Sequence, residues 1–217
     1  MSVAVSTATV TKPDDPAPLV FVVDDDCSVR ESLEALLTNE GWQSETFASA
    51  EEFLSRPRVR APSCLVLDVS LPDLDGLELQ TRIADRIDMP IIFITGHANV
   101  PMSVKAMKAG AVEFLTKPFG DEALLDAIQQ AIARSRATLR VEAERREQRD
   151  RYALLTHRER QVMALVVSGL TNKEVGSRLG ISEITVKAHR GHAMQKMQAN
   201  SFADLVKIAT TLHQPIT

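Results

Sequence analysis

Short apolar runs, set apart by stretches of helical period, constrain this chain more than any other feature. Leu19-Val-Phe-Val-Val23 is followed at once by three acids. That is the pattern of a strand buried on both faces of a parallel sheet. Further runs of strand length stand at 64–67, 91–95 and 112–115, with a weaker one at 43–47. Helical patterns separate them, at about 28–39, 50–54, 76–86 and 102–109, and again from Glu122 onward. Ser28…Glu31 and Ser49…Glu52 have the spacing of capping boxes. Strands alternating with helices predict an α/β fold, a doubly wound parallel sheet of five strands. In such sheets the working edge lies at the carboxyl ends of the strands. Asp24, Asp25 and Asp26 follow the first strand, Asp68 ends the third, Thr95 ends the fourth and Lys117 follows the fifth. All are expected to converge there.

The remainder of the chain has a different character. Residues 121–152 hold neither Gly nor Pro, so a helix of about 30 residues, roughly 45–50 Å long, is expected. Its apolar seam runs through Leu125, Ile128, Ile132, Ser135 and Leu139, then meets Glu142, Arg146 and Arg149. The second half therefore reads as a solvated helical linker in preference to a dimeric coiled coil. Thr156…Glu159 and Thr171…Glu174 are capping boxes, each opening an apolar-periodic stretch. The second of these helices is short and is followed by Gly180-Ile-Ser182. Two more helices are expected at about 183–197 and 202–212. A helix, a glycine turn and a second helix is the layout of helix-turn-helix DNA readers, here an all-α four-helix domain. The expected organisation is a disordered lead-in over 1–18, an α/β domain over 19–136, a linker over 137–152 continuing the last helix of that domain, and the helix-turn-helix domain over 153–217.

Charge supports this division. The net −4 combines 20 acids against 10 Lys and Arg up to Glu122 with 9 against 15 thereafter. A mildly acidic total is thus no argument against a polyanionic partner. Seven of those 15 cations lie in 134–151, so the basic excess is partly linker. No apolar run approaches the ~18 residues of a membrane span, and the first 18 residues lack the basic start and apolar stretch of a signal peptide. Cys27 and Cys64 cannot build a disulfide framework, so a reduced, cytoplasmic chain is expected. Neither has a basic neighbour in sequence, so both read as inert thiols.

Several carboxylates at one sheet edge repel one another unless a cation joins them, and an all-oxygen set suits Mg²⁺. A lysine and a threonine hydroxyl add donors for a phosphoryl group. The set describes phosphoryl transfer onto a carboxylate. Each element alone has a plainer reading: an acid triplet as a solvated loop, Asp68 to Asp73 as a strand and turn, Thr95 as a helix cap. Their conjunction on successive strand ends carries the argument.

At these residues the chain resembles the receiver domains of two-component response regulators. The matching motifs are Val23-Asp-Asp-Asp26, Leu67-Asp68 with Leu71-Pro-Asp73 and Gly76, Ile94-Thr-Gly96, Lys108-Ala-Gly-Ala111 and Lys117-Pro-Phe119. The resemblance implies that Asp68 accepts the phosphoryl group. It also implies that Asp24, Asp25, Asp68 and the backbone carbonyl of Ser70 hold Mg²⁺ or Mn²⁺, Asp24 mainly through water. Thr95 and Lys117 would bind phosphoryl oxygens, Thr95 and Phe114 would form the switch, and the Lys117–Pro118 peptide would be cis. Ser70 and His97 would flank an attacking water, although His97 reads first as an exposed loop histidine.

The C-terminal motifs Leu155-Thr-His-Arg-Glu-Arg160, Gly169-Leu-Thr-Asn-Lys-Glu174, Leu179-Gly-Ile-Ser182 and Thr185-Val-Lys-Ala-His189 resemble the LuxR-type helix-turn-helix. With the receiver they resemble the FixJ/NarL class. Glu183, Thr185, Lys187, His189, Arg190 and Lys173 are the expected DNA-contacting residues, and Lys196 is a further polar residue of the same helix. Gly191-His-Ala193 departs from the pattern, because relatives often keep a Lys or Asn and a larger apolar residue there.

The expected function is that of a cytoplasmic, phosphorylation-dependent transcriptional regulator, an activator, and not an enzyme beyond its own phosphorylation and dephosphorylation. Its expected partners are a histidine kinase, double-stranded promoter DNA, a second copy of the chain after phosphorylation and, as a further candidate, RNA polymerase, with no membrane. The alternatives are a phosphorylation-independent DNA-binding regulator with a structural receiver, and an aspartate-nucleophile phosphatase.

Overall fold

A computed structural model of the chain describes residues 16–97 and 99–213. The lead-in expected over 1–18 lies, through residue 15, outside the described residues. The chain divides into two compact units, the first ending at Leu139 and the second beginning at Arg140.

The first unit holds β1 (Leu19–Val23), α1 (Cys27–Asn39), β2 (Gln43–Phe47), α2 (Ala50–Ser55), β3 (Ser63–Asp68), α3 (Gly76–Arg82), β4 (Ile91–Thr95), α4 (Val100–Lys108), β5 (Glu113–Thr116) and the start of α5 (Asp121–Ala153). All strand pairs are parallel, in the order β2-β1-β3-β4-β5. Every residue of β1, β3 and β4 is buried, because helices cover both faces. Alternate side chains feed two cores: Leu19, Phe21 and Val23 join one with Phe53, Leu67 and Phe93, while Val20 and Val22 join the other with Leu37, Ile92 and Ile128. This two-sided burial is why the strands read as continuous apolar runs.

Register sets the working edge. Val23 pairs with Leu67, Leu67 with Phe93, and Thr95 with Thr116. Asp24 and Asp68 therefore leave adjacent strands at one level, with Thr95 and Lys117 beside them. The strand order reverses between β1 and β3, and ligands of doubly wound sheets bind at such a crevice.

Several local expectations change. Helix α1 begins before the expected Ser28 box: Asp26 is its cap and accepts from the Ser28 amide at 2.8 Å. A carboxylate serves a helix N-terminus better than a hydroxyl, since it also meets the helix dipole. Glu31 instead accepts from the Cys27 thiol. Helix α3 ends near residue 82 rather than 86, as the chain turns to bury Ile83 and Met89. The buried side of α5 starts at Leu124, not Leu125, and ends at Ser135, so the apolar seam fades as its sequence implies. The Ser135 hydroxyl ties this helix to the sheet by accepting from the Ser63 amide at 3.0 Å.

The second unit packs α6 (His157–Val167), α7 (Asn172–Leu179), α8 (Glu183–Lys196) and α9 (Phe202–His213) around Val162, Val175, Val186, Met197 and Leu205. Both expected capping boxes are present, Thr156 with Glu159 and Thr171 with Glu174. Gly180 ends α7 at φ 66°, the left-handed region that glycine occupies without penalty.

Two glycines are sharply different. A Cβ on Gly76 would lie 2.5 Å from the Asp68 carbonyl oxygen, so Gly76→Ala is expected to lower stability by about 1–3 kcal/mol in urea melts. A Cβ on Gly191, exposed on α8, meets nothing within 4 Å among the described residues. Gly191→Ala is expected to raise stability by about 0.5–1 kcal/mol in the same measurement.

Candidate functional site

The acidic edge is held by one ammonium. Lys117 Nζ lies 2.6 Å from Asp24 Oδ2 and 2.7 Å from Asp68 Oδ2. Asp24 is completely buried and Asp68 nearly so, while Asp25 is exposed. The second Asp24 oxygen accepts from the Asp26 amide at 3.0 Å, and Asp68 Oδ1 accepts from the Ser70 amide at 2.9 Å. Burial raises the Asp24 carboxyl above its ordinary range, and the hydrogen bond from Lys117 opposes that rise. Burial also pulls the Lys117 ammonium down, but its bonds to both carboxylates outweigh this and leave it raised. The Lys117 shift favours its charged form, while burial works against the Asp24 carboxylate and the Lys117 bridge partly offsets that penalty.

Carboxylate oxygens of Asp24, Asp25 and Asp68 lie within 4.8 Å of one another. Three anionic oxygens this close, with no sulfur or imidazole among them, fit a hard divalent cation. The expected residues thus meet: Asp24, Asp25, Asp68 and Lys117 directly, Ser70 through its amide, and Thr95 through its carbonyl, which accepts from the Lys117 amide at 2.8 Å. The Lys117–Pro118 peptide is cis. Thr95 is fully buried, and its hydroxyl accepts from the His97 amide at 3.2 Å, with the His97 side chain exposed. Among the described residues, no atom beyond its chain neighbours lies within 4 Å of a Cβ placed on Gly96.

Phe114 is half-buried on β5, its ring 6.1 Å from that of Phe93 and packed against the core that also holds Ala106 of α4. Outward, α4 exposes Val100 (75%), Val104 and Met107, an apolar stripe at helical spacing. The Cys27 thiol is raised by its bond to Glu31 and the Cys64 thiol by complete burial, which leaves both unreactive.

Two contacts at this edge lie beyond sequence reading. Asp73 accepts from the Glu51 amide at 2.9 Å, so a loop acid tethers the start of α2. Arg30 Nη1 donates to the carbonyl oxygens of Asp24 at 2.7 Å and Asp25 at 2.9 Å. Basic character five residues after Asp25 is the only signal of it in the sequence.

In the second unit α7, the Gly180 turn and α8 form the helix-turn-helix. Gly176 permits its close approach, since a Cβ there would lie 2.7 Å from the Ile181 carbonyl oxygen. Lys173 is exposed on α7. On α8, Glu183 and Lys187 are exposed and paired at 3.2 Å, Thr185 bonds the cap Ser182, and His189 is half-exposed. Arg190 lies over the Phe202 ring at 4.5 Å and donates to Asn172 at 3.4 Å, so it braces α7 and α9. Lys196 turns inward to the buried Glu159 at 2.7 Å, which removes it from the outward face. Ile184, not singled out by its sequence pattern, is 80% exposed on the first turn.

Comparison with known proteins agrees with both halves. Residues 20–129 match the response regulator receiver domain, and 153–209 match the LuxR family of bacterial regulatory proteins. The chain is 49% identical to nodulation protein W of Bradyrhizobium diazoefficiens, over 89% of this chain and 86% of that protein. It is also similar to the solved structure of the response regulator StyR, at 46% identity, TM-score 0.79, and 90% and 99% coverage. Full-length FixJ from B. japonicum matches at 40% identity and TM-score 0.52, covering 89% of this chain and 96% of that one.

The Lys196 bond holds the Glu159 carboxyl down at about 2, against an ordinary 4.5. A lowered acid contributes stability that is fully present above the ordinary value and is lost as pH falls toward 2. The second unit should therefore lose stability, and melt at lower temperature, from about pH 5 down to 2. Lys196→Met should lower stability at neutral pH by an amount on the order of 1–3 kcal/mol and flatten that dependence, as read by thermal melts across pH.

Proposed function

This chain belongs to the two-component response regulators that join a receiver domain to a LuxR-type DNA-binding domain and regulate transcription, and we propose from that premise that Asp68 is its phosphoacceptor. The family implies a histidine kinase partner and DNA as the target. Its members are regulators rather than typical enzymes. Among the described residues, no helix is long and apolar enough to cross a membrane.

The Lys117 ammonium bridging Asp24 and Asp68 carries the reading. An oxygen of Asp68 attacks the phosphorus of the donor's phosphohistidine, the P–N bond breaks, and its electron pair returns to the imidazole nitrogen. Lys117, already against Asp68, meets the charge that the phosphoryl oxygens bring. The Thr95 hydroxyl, buried at the end of β4, donates to another of those oxygens. Asp24, Asp25, Asp68 and the Ser70 carbonyl would hold Mg²⁺ or Mn²⁺, which supplies positive charge to the phosphoryl oxygens when bound. Loss of the phosphoryl group to water, with the same residues around it, returns Asp68 to its free carboxylate.

The switch then acts by differential stabilisation. Movement of Thr95 toward the phosphoryl group opens room for Phe114 to reorient against α4. The exposed Val100, Val104 and Met107 stripe becomes the surface on which two copies meet. Dimerisation brings two α8 helices to paired half-sites, with Lys173, Glu183, Thr185, Lys187 and His189 facing DNA. Arg190 supports α8 from behind while it remains on Phe202. The receiver comprises 19–136, the linker 137–152 and the DNA-binding domain 153–217.

Acetyl phosphate with Mg²⁺ is expected to label the wild-type protein and shift it from monomer to dimer in sedimentation. Asp68→Asn should lose both responses. Labelling retained at full stoichiometry in that variant would assign the acceptor elsewhere.

A further inference from the structure

We propose that Arg30 is a positioning residue for the cation site, resting on the reading of Asp24, Asp25 and Asp68 as its ligands. The guanidinium touches no carboxylate of that set. Its Nη1 donates instead to two consecutive main-chain oxygens, those of Asp24 and Asp25, at 2.7 and 2.9 Å. One nitrogen bonded to both carbonyls fixes the peptide between the two acids.

The fixing matters because the three carboxylates repel one another when brought within 4.8 Å. Asp24 and Asp68 are buried and restrained by Lys117, Asp26 and Ser70. Asp25 is exposed, outside the strand, and just before the first turn of α1. Among the described contacts, Arg30 is what ties its main chain down. The arginine reaches back from within α1, so the helix itself anchors the loop that aims the Asp25 carboxylate.

Charge and position make opposite predictions, which renders the proposal decidable. A guanidinium beside an acidic cluster disfavours a second cation, so its removal should tighten divalent binding if charge alone acts. If Arg30 acts by positioning, its removal should weaken binding despite the lost repulsion. Outer-shell partners of metal ligands commonly carry 10–100-fold in affinity.

The test uses the full chain and Mn²⁺ alone, with free Mn²⁺ counted by electron paramagnetic resonance and Mg²⁺ as competitor. Arg30→Met, which keeps the aliphatic stem, is expected to raise the Kd about 10-fold. Arg30→Lys keeps the charge on a shorter arm and should fall between, which charge alone would leave unchanged. Circular dichroism melts on the same samples separate these effects from unfolding, and Arg30→Lys carries the test if Arg30→Met unfolds. Unchanged or tighter binding in folded Arg30 variants overturns the proposal and leaves the site intact. Wild-type protein that binds no Mn²⁺, or an Asp25→Asn variant that binds as well as wild type, overturns the site reading and the proposal with it.

Discussion

Everything at the working edge depends on one cation shared by two anions. Asp24 and Asp68 end neighbouring strands, and Lys117 reaches them from 93 and 49 residues away in sequence. Without that ammonium, two nearly dry carboxylates would sit side by side, an arrangement that burial alone makes costly. Parallel register is common to doubly wound sheets, whatever their strand order. Here the register delivers opposite charges to one edge. The bridge also holds a positive charge in direct contact with Asp68, the acceptor under the proposed function.

The second unit contains a similar pairing put to a different use. Glu159 caps α6, is almost fully buried, and receives Lys196 from the end of α8. There the ion pair joins two helices. His192 lies 3.9 Å from the other Glu159 oxygen, so this carboxylate gathers polar groups from one side of α8. The opposite side, with the paired Glu183 and Lys187, is left to solvent.

Much of this was legible in the amino-acid order, for identifiable reasons. Strands buried on both faces must be apolar throughout, so β1, β3 and β4 stand out, and the polar residues at their carboxyl ends share one sheet edge. The half-exposed β2 shows weakly because only one of its residues, Phe47, is fully buried. Capping boxes at Thr156 and Thr171 are local and declare themselves. Asp26 and Ser28 are both good caps two residues apart, and only the geometry chooses between them. Long side chains are the least legible. Lys196, Arg190 and Arg30 all look like surface cations until their partners Glu159, Phe202 and the Asp24–Asp25 main chain are in place. Asp73 likewise reaches α2 across 22 residues, with no spacing rule to announce it.

Gly191 gives α8 a property that its charges do not. At this exposed position, one helical turn beyond Lys187 and Ala188, no side chain stands between the helix backbone and whatever lies in front of it. An α-helix entering a groove is normally held off by the depth of its own side chains. A gap in that layer lets a neighbouring surface come closer to the helix axis there than at Ile184, whose side chain is 80% exposed.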